Sequence, residues 1–357
     1  MTTLLDAPDE LAAVEVLHEL GCTDGLPVIV PTHERVARMV LAGGLDADLL
    51  LGELGPSFGA ATVEKVAAAA VMAGCLPDHM PLVVAAVRAI ADPRFDLAEM
   101  QATTHCTAPL IIVNGPARDA CGIASGFGAL GPGHRGNATV GRALRLAMIN
   151  IGGGRPGQSD MALLGHPGKF TYCLAEAEAA SPWEPLHVAR GFAVDSSVVT
   201  VIGAEAPSSV IAVTDGDDPS SHDRILDALA SSFSAVSTNN AMLRGGAAVV
   251  VLNPEHAAVL AGAGLSRLDV QSALVARAGN RRGALSKQAP AFAGSGAPDD
   301  WMPCFRSADD VLVLVAGGGG LYSTVMASWC AGGHRNSAIS MLVDIDQACA
   351  VPGASVG

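Results

Sequence analysis

Residues 247–264, AAVVVLNPEHAAVLAGAG, join a short apolar, β-branched run to a segment with helical patterning. Apolar β-branched runs of this length predict strands, and apolar residues at helical spacing predict helices. The same alternation continues on both sides of the stretch, with strand-like runs at 195–204, 208–215 and 309–320 and helix-like segments among them. Alternating strands and helices predict an α/β domain for this half of the chain.

The first half of the chain has the same mixture of elements with fewer strands. Its clearest strand-like run is APLIIVNG, residues 108–115. Helical patterning is found in the segments 8–20, 32–43, 61–75, 80–92 and 137–153. We therefore predict two α/β lobes with mixed sheets around an interlobe cleft, an N-terminal lobe of residues 1–195 and a C-terminal lobe of residues 196–357.

The composition excludes several classes of protein. The chain has 357 residues and a formal net charge of −14, and it contains no run of Lys and Arg, so a nucleic-acid partner is not expected. The N-terminus carries acidic residues and no apolar run is long enough to span a bilayer, which predicts a cytoplasmic protein with no membrane partner. The eight cysteines are scattered without a CxxC pair, which predicts free thiols. The sequence leaves open whether the protein forms a homo-oligomer.

The segment QATTHCTAPLIIVNGP, residues 101–116, places a polar patch directly before the predicted strand. His105 and Cys106 stand side by side in it, and a nearby imidazolium stabilises a thiolate. We therefore predict that Cys106 is a nucleophile or acid–base group and that His105 takes part in catalysis. The alternative for Cys106 is packing in the core. Thr104 and Asn114, at the two ends of the patch and strand, are predicted to contact the substrate.

The segment GHPGKFTYCLAEAEAASPWEPLHVARGF, residues 165–192, is dense in reactive groups. Lys169 can pair with a carboxylate or act as a base when desolvated, and Glu176 is the second predicted proton carrier. Because neighbouring residues on a strand point to opposite faces, the base for the thiol can also come from His134 or His166. The alternative for Lys169 and the glutamates is a solvated surface.

Two glycine-rich loops follow predicted strands. Residues 122–137, GIASGFGALGPGHRGN, precede a helix, and residues 317–320 are four consecutive glycines. Glycines let backbone N–H groups approach an anion, and a helix N-terminus adds partial positive charge. The loops therefore predict a carboxylate cradle, although tight turns explain them as well. The substrate-binding residues predicted in and beside the loops are Ser125, Gly126, Asn137, Arg142, Gly318, Gly319 and Ser323.

The sequence names no cofactor and no metal ligands. Gly126, Gly128 and Gly131 have the GxGxxG spacing of dinucleotide-binding turns. Pro132 and several further residues separate them from the helix, and no acidic residue ends a second strand about 20 residues later. HExxH is absent, so a metal site would need ligands from remote segments, such as His105, His134, His166 and Asp160. The cofactor is therefore left unknown.

Five segments of the chain carry a family resemblance. They are DGLPVIVPT (24–32), ATVEKVAAAAVMAGC (61–75), THCTAPLIIVNGP (104–116), GNATVGRALRLAMINIGG (136–153) and SPWEPLHVARGF (181–192). These segments resemble a family of uncharacterised bacterial proteins grouped with the UGSC-type (seleno)proteins, over most of residues 20–200. The resemblance implies Cys- or Sec-dependent redox or transfer chemistry. This chain departs from the pattern because it has no CGSC tetrad.

Together these features predict an enzyme that acts on a small carboxylate- or amide-bearing molecule, by hydrolase or lyase chemistry with a cysteine at the site. The alternatives are a thiol-dependent oxidoreductase, a metal-dependent lyase and a non-catalytic small-molecule binding protein. A binding protein would use the cleft and the glycine-rich loops without needing Cys106.

Overall fold

The computed structural model describes residues 5–215, 218–327, 329–331 and 334–344. These residues form an α/β fold in which two four-stranded sheets are accompanied by helices and by three small two-stranded sheets. The predicted α/β class is confirmed.

The helices in the described residues follow the predicted helical segments closely in the first half of the chain. They are α1 (Glu10–Glu19), α2 (His33–Gly43), α3 (Val63–Ala73), α4 (Met80–Ala91), α5 (Leu97–Ala102), α6 (Ala117–Ala120), α7 (Arg135–Asn150), α8 (Leu186–Ala189), α9 (Ser221–Ser234), α10 (Asn239–Leu243), α11 (Pro254–Gly262), α12 (Arg267–Arg277), α13 (Arg282–Gln288) and α14 (Pro290–Ala293). None of them combines the length and the hydrophobicity that crossing a bilayer requires.

The strands include the predicted apolar runs and several short pairs that the sequence patterns do not indicate. They are β1 (Leu50–Leu54), β2 (Gly59–Thr62), β3 (Ala108–Asn114), β4 (Cys173–Ala175), β5 (Val198–Ala204), β6 (Ser208–Ile211), β7 (Ala248–Leu252), β8 (Gly279–Arg281), β9 (Trp301–Pro303), β10 (Val311–Val315), β11 (Tyr322–Met326), β12 (Cys330–Ala331), β13 (His334–Arg335) and β14 (Ile339–Leu342).

The two four-stranded sheets have the same arrangement. The first has the order β14-β5-β3-β4 and the second β6-β11-β7-β10, and in each one the last two strands of that order are parallel while the other neighbours are antiparallel. The sheets also exchange strands, because β6 follows β5 in the chain but joins the second sheet, and β14 follows β11 but joins the first. The predicted boundary at residue 195 therefore does not separate the two sheets.

Alternating side chains of the strands enter different apolar layers. On β3, Ile111 and Val113 pack with α3, α4 and α7, whereas Leu110 and Ile112 face the second sheet. The layer between the sheets includes Leu110, Ile112, Val249, Val251, Leu312 and Leu314. The outer face of the second sheet packs on α9, α11 and α12. The sheet faces therefore meet in an apolar layer, and the two lobes with an interlobe cleft stay a prediction.

Side-chain caps fix the helices that surround the first sheet. Thr32 accepts a hydrogen bond from the Arg35 backbone at the start of α2, and Thr62 accepts one from Lys65 at the start of α3. Gly141 on α7 lies against the backbone of Tyr172, where a larger residue would collide. This close approach brings α7 to the segment that precedes β4, and it positions the side chains described next.

Candidate functional site

A surface pocket of about 710 Å³ opens beside the N-terminal ends of the parallel strands β3 and β4. Its lining includes Arg145, Asp160, Leu164, His166, Lys169 and Phe170, and we call it the basic pocket. The volume lies in the range of pockets that hold small ligands. Arg145 comes from α7, and the other five residues come from the loop between α7 and β4.

Two cations share one carboxylate in this pocket. Asp160 Oδ2 accepts a hydrogen bond from Arg145 Nη2 at 2.8 Å, and Oδ1 accepts one from Lys169 Nζ at 2.9 Å. The side chains of Arg145, Asp160 and Lys169 are only 10 %, 3 % and 16 % exposed. The trio therefore has a net charge of +1 when all three groups are ionised, and it is poorly exposed to solvent.

The environment shifts the pKa of both Lys169 and Asp160. Burial lowers the pKa of the Lys169 ammonium, and the attraction of Asp160 offsets only part of this effect. Burial raises the pKa of Asp160, but the charges of Arg145 and Lys169 outweigh it, so the pKa lies below its ordinary value. Lys169 is therefore the group in this trio that gives up a proton more readily than usual.

Cys106 lies close to the pocket, behind Gly165. Its Sγ accepts a hydrogen bond from the Gly165 backbone N–H at 3.2 Å, and the charge of Lys169 also acts on it. Cys106 is half-buried and lies in the bend before β3, not within the strand. The carbonyl of Thr104 accepts a hydrogen bond from Leu163, so this bend and the pocket loop are held together.

His105 is held by an acidic partner. Its Nε2 lies 2.8 Å from Glu205 Oε1, and the Tyr172 hydroxyl donates to the backbone carbonyl of Glu205. In the part of the chain that the structure describes, the Cys106 thiol has its hydrogen bond from Gly165 and none from His105. The predicted residues Thr104, His105, Cys106 and Lys169 thus come together, but His105 and Cys106 are not bonded to each other.

The two other candidate bases have different surroundings. His166 lines the pocket, its Nδ1 accepts a hydrogen bond from the Gly168 backbone at 3.1 Å, and burial lowers its pKa. The neutral ring therefore carries its proton on Nε2. His134 contacts the carbonyl of Phe127 in the glycine-rich loop and does not line the basic pocket.

Glu176 lies at the other end of β3 and β4, in a closed polar network. Its carboxylate accepts hydrogen bonds from Asn114 Nδ2 at 2.6 Å, from the Leu186 backbone at 2.6 Å and from Arg267 Nη2 at 2.9 Å. The seven-residue strand β3 separates this network from Lys169 by about 20 Å. The structure therefore does not bring Glu176 or Asn114 to the pocket. Both side chains form hydrogen bonds inside the protein instead.

The two glycine-rich loops touch each other. The Gly317 backbone donates to the carbonyl of Ser125 at 2.8 Å, and the ring of Phe127 lies where a side chain at Gly318 would be. These contacts place the predicted binding residues Ser125, Gly126, Gly318 and Gly319 at the opposite ends of the strands from the basic pocket. The carboxylate cradle stays a prediction there.

Three further residues predicted to bind substrate are used inside the protein. Arg142 Nε and Nη2 each donate to the carboxylate of Asp24 at 2.8 Å. The amide of Asn137 bonds to the backbone of the glycine-rich loop, and Ser323 Oγ lies 2.8 Å from His256 Nδ1 in the core. Arg142 therefore forms an ion pair that holds the 24–27 segment at the pocket wall, and its role in substrate binding stays a prediction.

Arg145 and Glu205 are site residues that the sequence did not predict, and it indicated Asp160 only as one ligand of a metal site built from remote segments. Arg145 stands between the buried residues Leu144 and Leu146 of α7, and a cation in such an apolar run must be paired when the helix is packed. That rule was a usable signal for Arg145. Glu205 offered no comparable signal, because its partner lies 100 residues away in the chain.

Comparisons of the chain with models of protein families, with curated proteins and with solved structures found no match. The resemblance to the UGSC-type proteins therefore stays a hypothesis. Within the residues that the structure describes, no group of three or more His, Cys, Asp or Glu side chains is arranged to hold a metal ion.

Proposed function

We propose that the chain is an enzyme that acts on a small carboxylate-bearing molecule in the basic pocket, by lyase-type proton transfer with Lys169 as the acid–base group. The observation that carries this proposal is the sharing of Asp160 by Arg145 and Lys169 at the pocket surface.

The charge of the trio supports an anionic ligand. Two cations paired with one carboxylate leave a positive field, which strengthens where water is partly excluded. Arg145 donates from Nη2 to Asp160 and, at 3.5 Å, from Nη1 to Gln101, and its other guanidinium N–H groups can donate to a ligand carboxylate. The backbone around it is rigid because it lies on the long helix α7. Apolar walls from Ile149, Leu164 and Phe170 suit the hydrocarbon part of such a ligand.

The environment of Lys169 supports proton transfer. A general acid–base group works best when its pKa lies near the working pH, and burial moves the pKa of Lys169 in that direction. Asp160 is bonded to Nζ and keeps the side chain oriented. A C–H proton close to the ligand carboxylate is the natural target of a base held beside Arg145.

The surroundings of the thiol favour lyase chemistry over cysteine-dependent hydrolysis. A cysteine nucleophile needs a base within hydrogen-bond reach. In the described residues the hydrogen bond to Cys106 comes from a backbone N–H, and His105 is bonded to Glu205.

Calorimetric titration with propionate, pyruvate and benzoate tests the ligand class. We expect at least one of them to bind, and we expect Lys169→Met and Arg145→Met to weaken that binding at least about tenfold, the effect of losing one charged hydrogen bond. Lys287→Met is the matched control, because Lys287 is exposed and outside the pocket. It should bind as the wild type does.

Exchange in D₂O completes the same test. Propionate should gain deuterium at the carbon next to its carboxyl group and pyruvate at its methyl carbon, next to the carbonyl, and Lys169→Met should stop the exchange; benzoate has no such proton and tests binding alone. Absence of binding by all three carboxylates would contradict the proposal. Binding of propionate or pyruvate without exchange in either would favour the non-catalytic binding protein.

A second candidate is a thiol-dependent transfer or hydrolysis at Cys106. The observation that favours it is the contact of Sγ with the Gly165 N–H, close to the charge of Lys169, because both stabilise a thiolate.

Iodoacetamide labelling tests this candidate. Cys106 should react at least about tenfold faster than Cys22, which is half-buried to a similar degree and serves as the internal control. The buried thiols of Cys75, Cys121 and Cys173 should stay protected. Peptide mass spectrometry measures the labelling rate of each cysteine. Equal rates at Cys106 and Cys22 would rule out the thiol candidate.

A further inference from the structure

We infer that the ligand of the basic pocket is a small 2-oxo carboxylate, whose carbonyl carbon forms an imine with Lys169 Nζ while Arg145 holds its carboxylate. This inference rests on the proposed function: it keeps the basic pocket and its carboxylate ligand, narrows the substrate class, and gives Lys169 a covalent role in place of direct proton transfer.

The spacing of the two cations supports this ligand class. Arg145 Nη2 and Lys169 Nζ bond to the two oxygens of one carboxylate, at 2.8 and 2.9 Å, so the two nitrogens lie a short distance apart. In a 2-oxo acid the carboxylate and the carbonyl stand on adjacent carbons. One group can therefore meet Arg145 while its neighbour meets Lys169.

The position of Lys169 suits a nucleophilic amine. The side chain lines the pocket but is only 16 % exposed, and its remaining hydrogen bond goes to the Thr107 carbonyl at 3.3 Å. Leu164 and Phe170 provide apolar surface beside it, and the charge of Arg145 disfavours a second cation. Burial also lowers the pKa of Lys169, which increases the fraction of neutral amine at a given pH.

The reaction balances without an oxidant or a reductant. The Lys169 ammonium transfers one proton to Asp160, and the lone pair of the neutral Nζ forms a bond to the carbonyl carbon of the ligand. The carbonyl oxygen takes up the electron pair of its π bond and then the proton from Asp160. The carbinolamine loses this oxygen as water when Nζ gives up its second proton to it, and a protonated imine remains. In sum, one ammonium and one ketone give one iminium ion and one water.

The iminium ion, which is the protonated imine, can promote lyase chemistry. It accepts electrons from the neighbouring carbon when a C–H or C–C bond there breaks. Lys169 then acts covalently, and Asp160, which bonds to Nζ, carries the proton between nitrogen and oxygen.

Reductive trapping tests the inference directly, because the chain has three lysines, Lys65, Lys169 and Lys287. The full-length protein is incubated with pyruvate, 2-oxobutyrate or phenylpyruvate, reduced with sodium borohydride, and analysed by intact and peptide mass spectrometry. We expect one reduced adduct on Lys169. We expect at least a tenfold lower yield on Lys65 and Lys287, and no adduct from propionate, which has no carbonyl next to its carboxylate.

Two variants and a competition experiment make the result specific. Lys169→Arg should abolish trapping, and the matched Lys287→Arg should trap as the wild type does. Excess propionate should slow trapping on the unmodified chain, so the test holds even when Lys169→Arg fails to fold. The yield of trapped adduct should rise with pH until Lys169 is mostly the neutral amine, and it should then stay constant.

The outcomes separate the two proposals. Carboxylate binding without an adduct from any of the three 2-oxo acids overturns the imine and leaves the proposed function standing. Adducts spread equally over the three lysines also overturn the imine. Absence of both binding and trapping overturns the imine and the proposed function together.

Discussion

Replacing Asp160 by Ala should lower the free energy of unfolding by about 3 to 5 kcal/mol, the cost of leaving buried charge uncompensated. Asp160 is the counter-charge of both Arg145 and Lys169, and its side chain is 3 % exposed. Without it, two cations face each other in a region where water screens them poorly. Urea unfolding at neutral pH measures the change.

The matched control is an exposed carboxylate that also pairs with an arginine. Asp227 bonds to Arg277 at 2.6 Å, but its side chain is 67 % exposed. Asp227→Ala should therefore cost less than about 1 kcal/mol, as exposed ion pairs do. Equal losses for Asp160→Ala and Asp227→Ala would contradict the buried ion trio.

The same ion trio predicts the direction of a pH effect. The pKa of Asp160 lies below its ordinary value of 3.8 in the folded protein, so its contribution to stability is complete at pH values above that ordinary pKa. The contribution is lost as the pH falls from there through the folded pKa. The stability difference between the wild type and Asp160→Ala should therefore shrink in acid, and a difference that grows in acid would contradict this assignment.

The sequence predicted single elements better than their partners. The patterning of 61–75, 108–115 and 137–153 matched α3, β3 and α7 within a few residues, because apolar periodicity reports directly which face of an element is buried. It does not report which strand lies alongside. The exchange of β6 and β14 between the sheets depends on pairings over long chain distances, and the predicted boundary at 195 missed it for that reason.

The candidate site was predicted in part for a similar reason. The sequence marked Cys106 and Lys169 as reactive groups, and both come to the same end of β3. Glu176 stands only seven positions after Lys169, but the extended strand β4 lies between them, so the two side chains are at opposite ends of the sheet. Nearness in the chain misled the analysis because an extended segment covers distance quickly.

The buried carboxylates at the two ends of β3 and β4 have different surroundings. At the C-terminal ends, Glu176 has hydrogen-bond donors on both carboxylate oxygens and is fully buried, which suits a group that holds β4 to α12. At the N-terminal ends, the carboxylate of Asp160 is shared by cations that line an open pocket. Burial alone therefore does not separate the two carboxylates, and access to the basic pocket distinguishes Asp160 from Glu176.

Replacing Gly115 by Ala should lower the free energy of unfolding by about 2 to 5 kcal/mol, because two separate costs add. The φ angle of Gly115 is +76°, a left-handed conformation that costs a residue with a Cβ about 1 to 2 kcal/mol. A Cβ at this position would also collide with the backbone carbonyl of Ser196, which cannot rotate away as a side chain can. Relieving that collision requires a backbone shift beside β5, at a cost of about 1 to 3 kcal/mol.

Gly126→Ala is the matched control for Gly115→Ala, since Gly126 lies in the glycine-rich loop that follows Gly115 in the chain. Gly126 has no positive φ angle, and a Cβ there meets no atom within 4 Å. Its stability should therefore stay within about 0.5 kcal/mol of the wild type. Urea unfolding of the two variants side by side decides the matter. A Gly115→Ala protein as stable as Gly126→Ala would show that the turn after β3 adapts to a side chain. The expected collision with the Ser196 carbonyl would then be wrong.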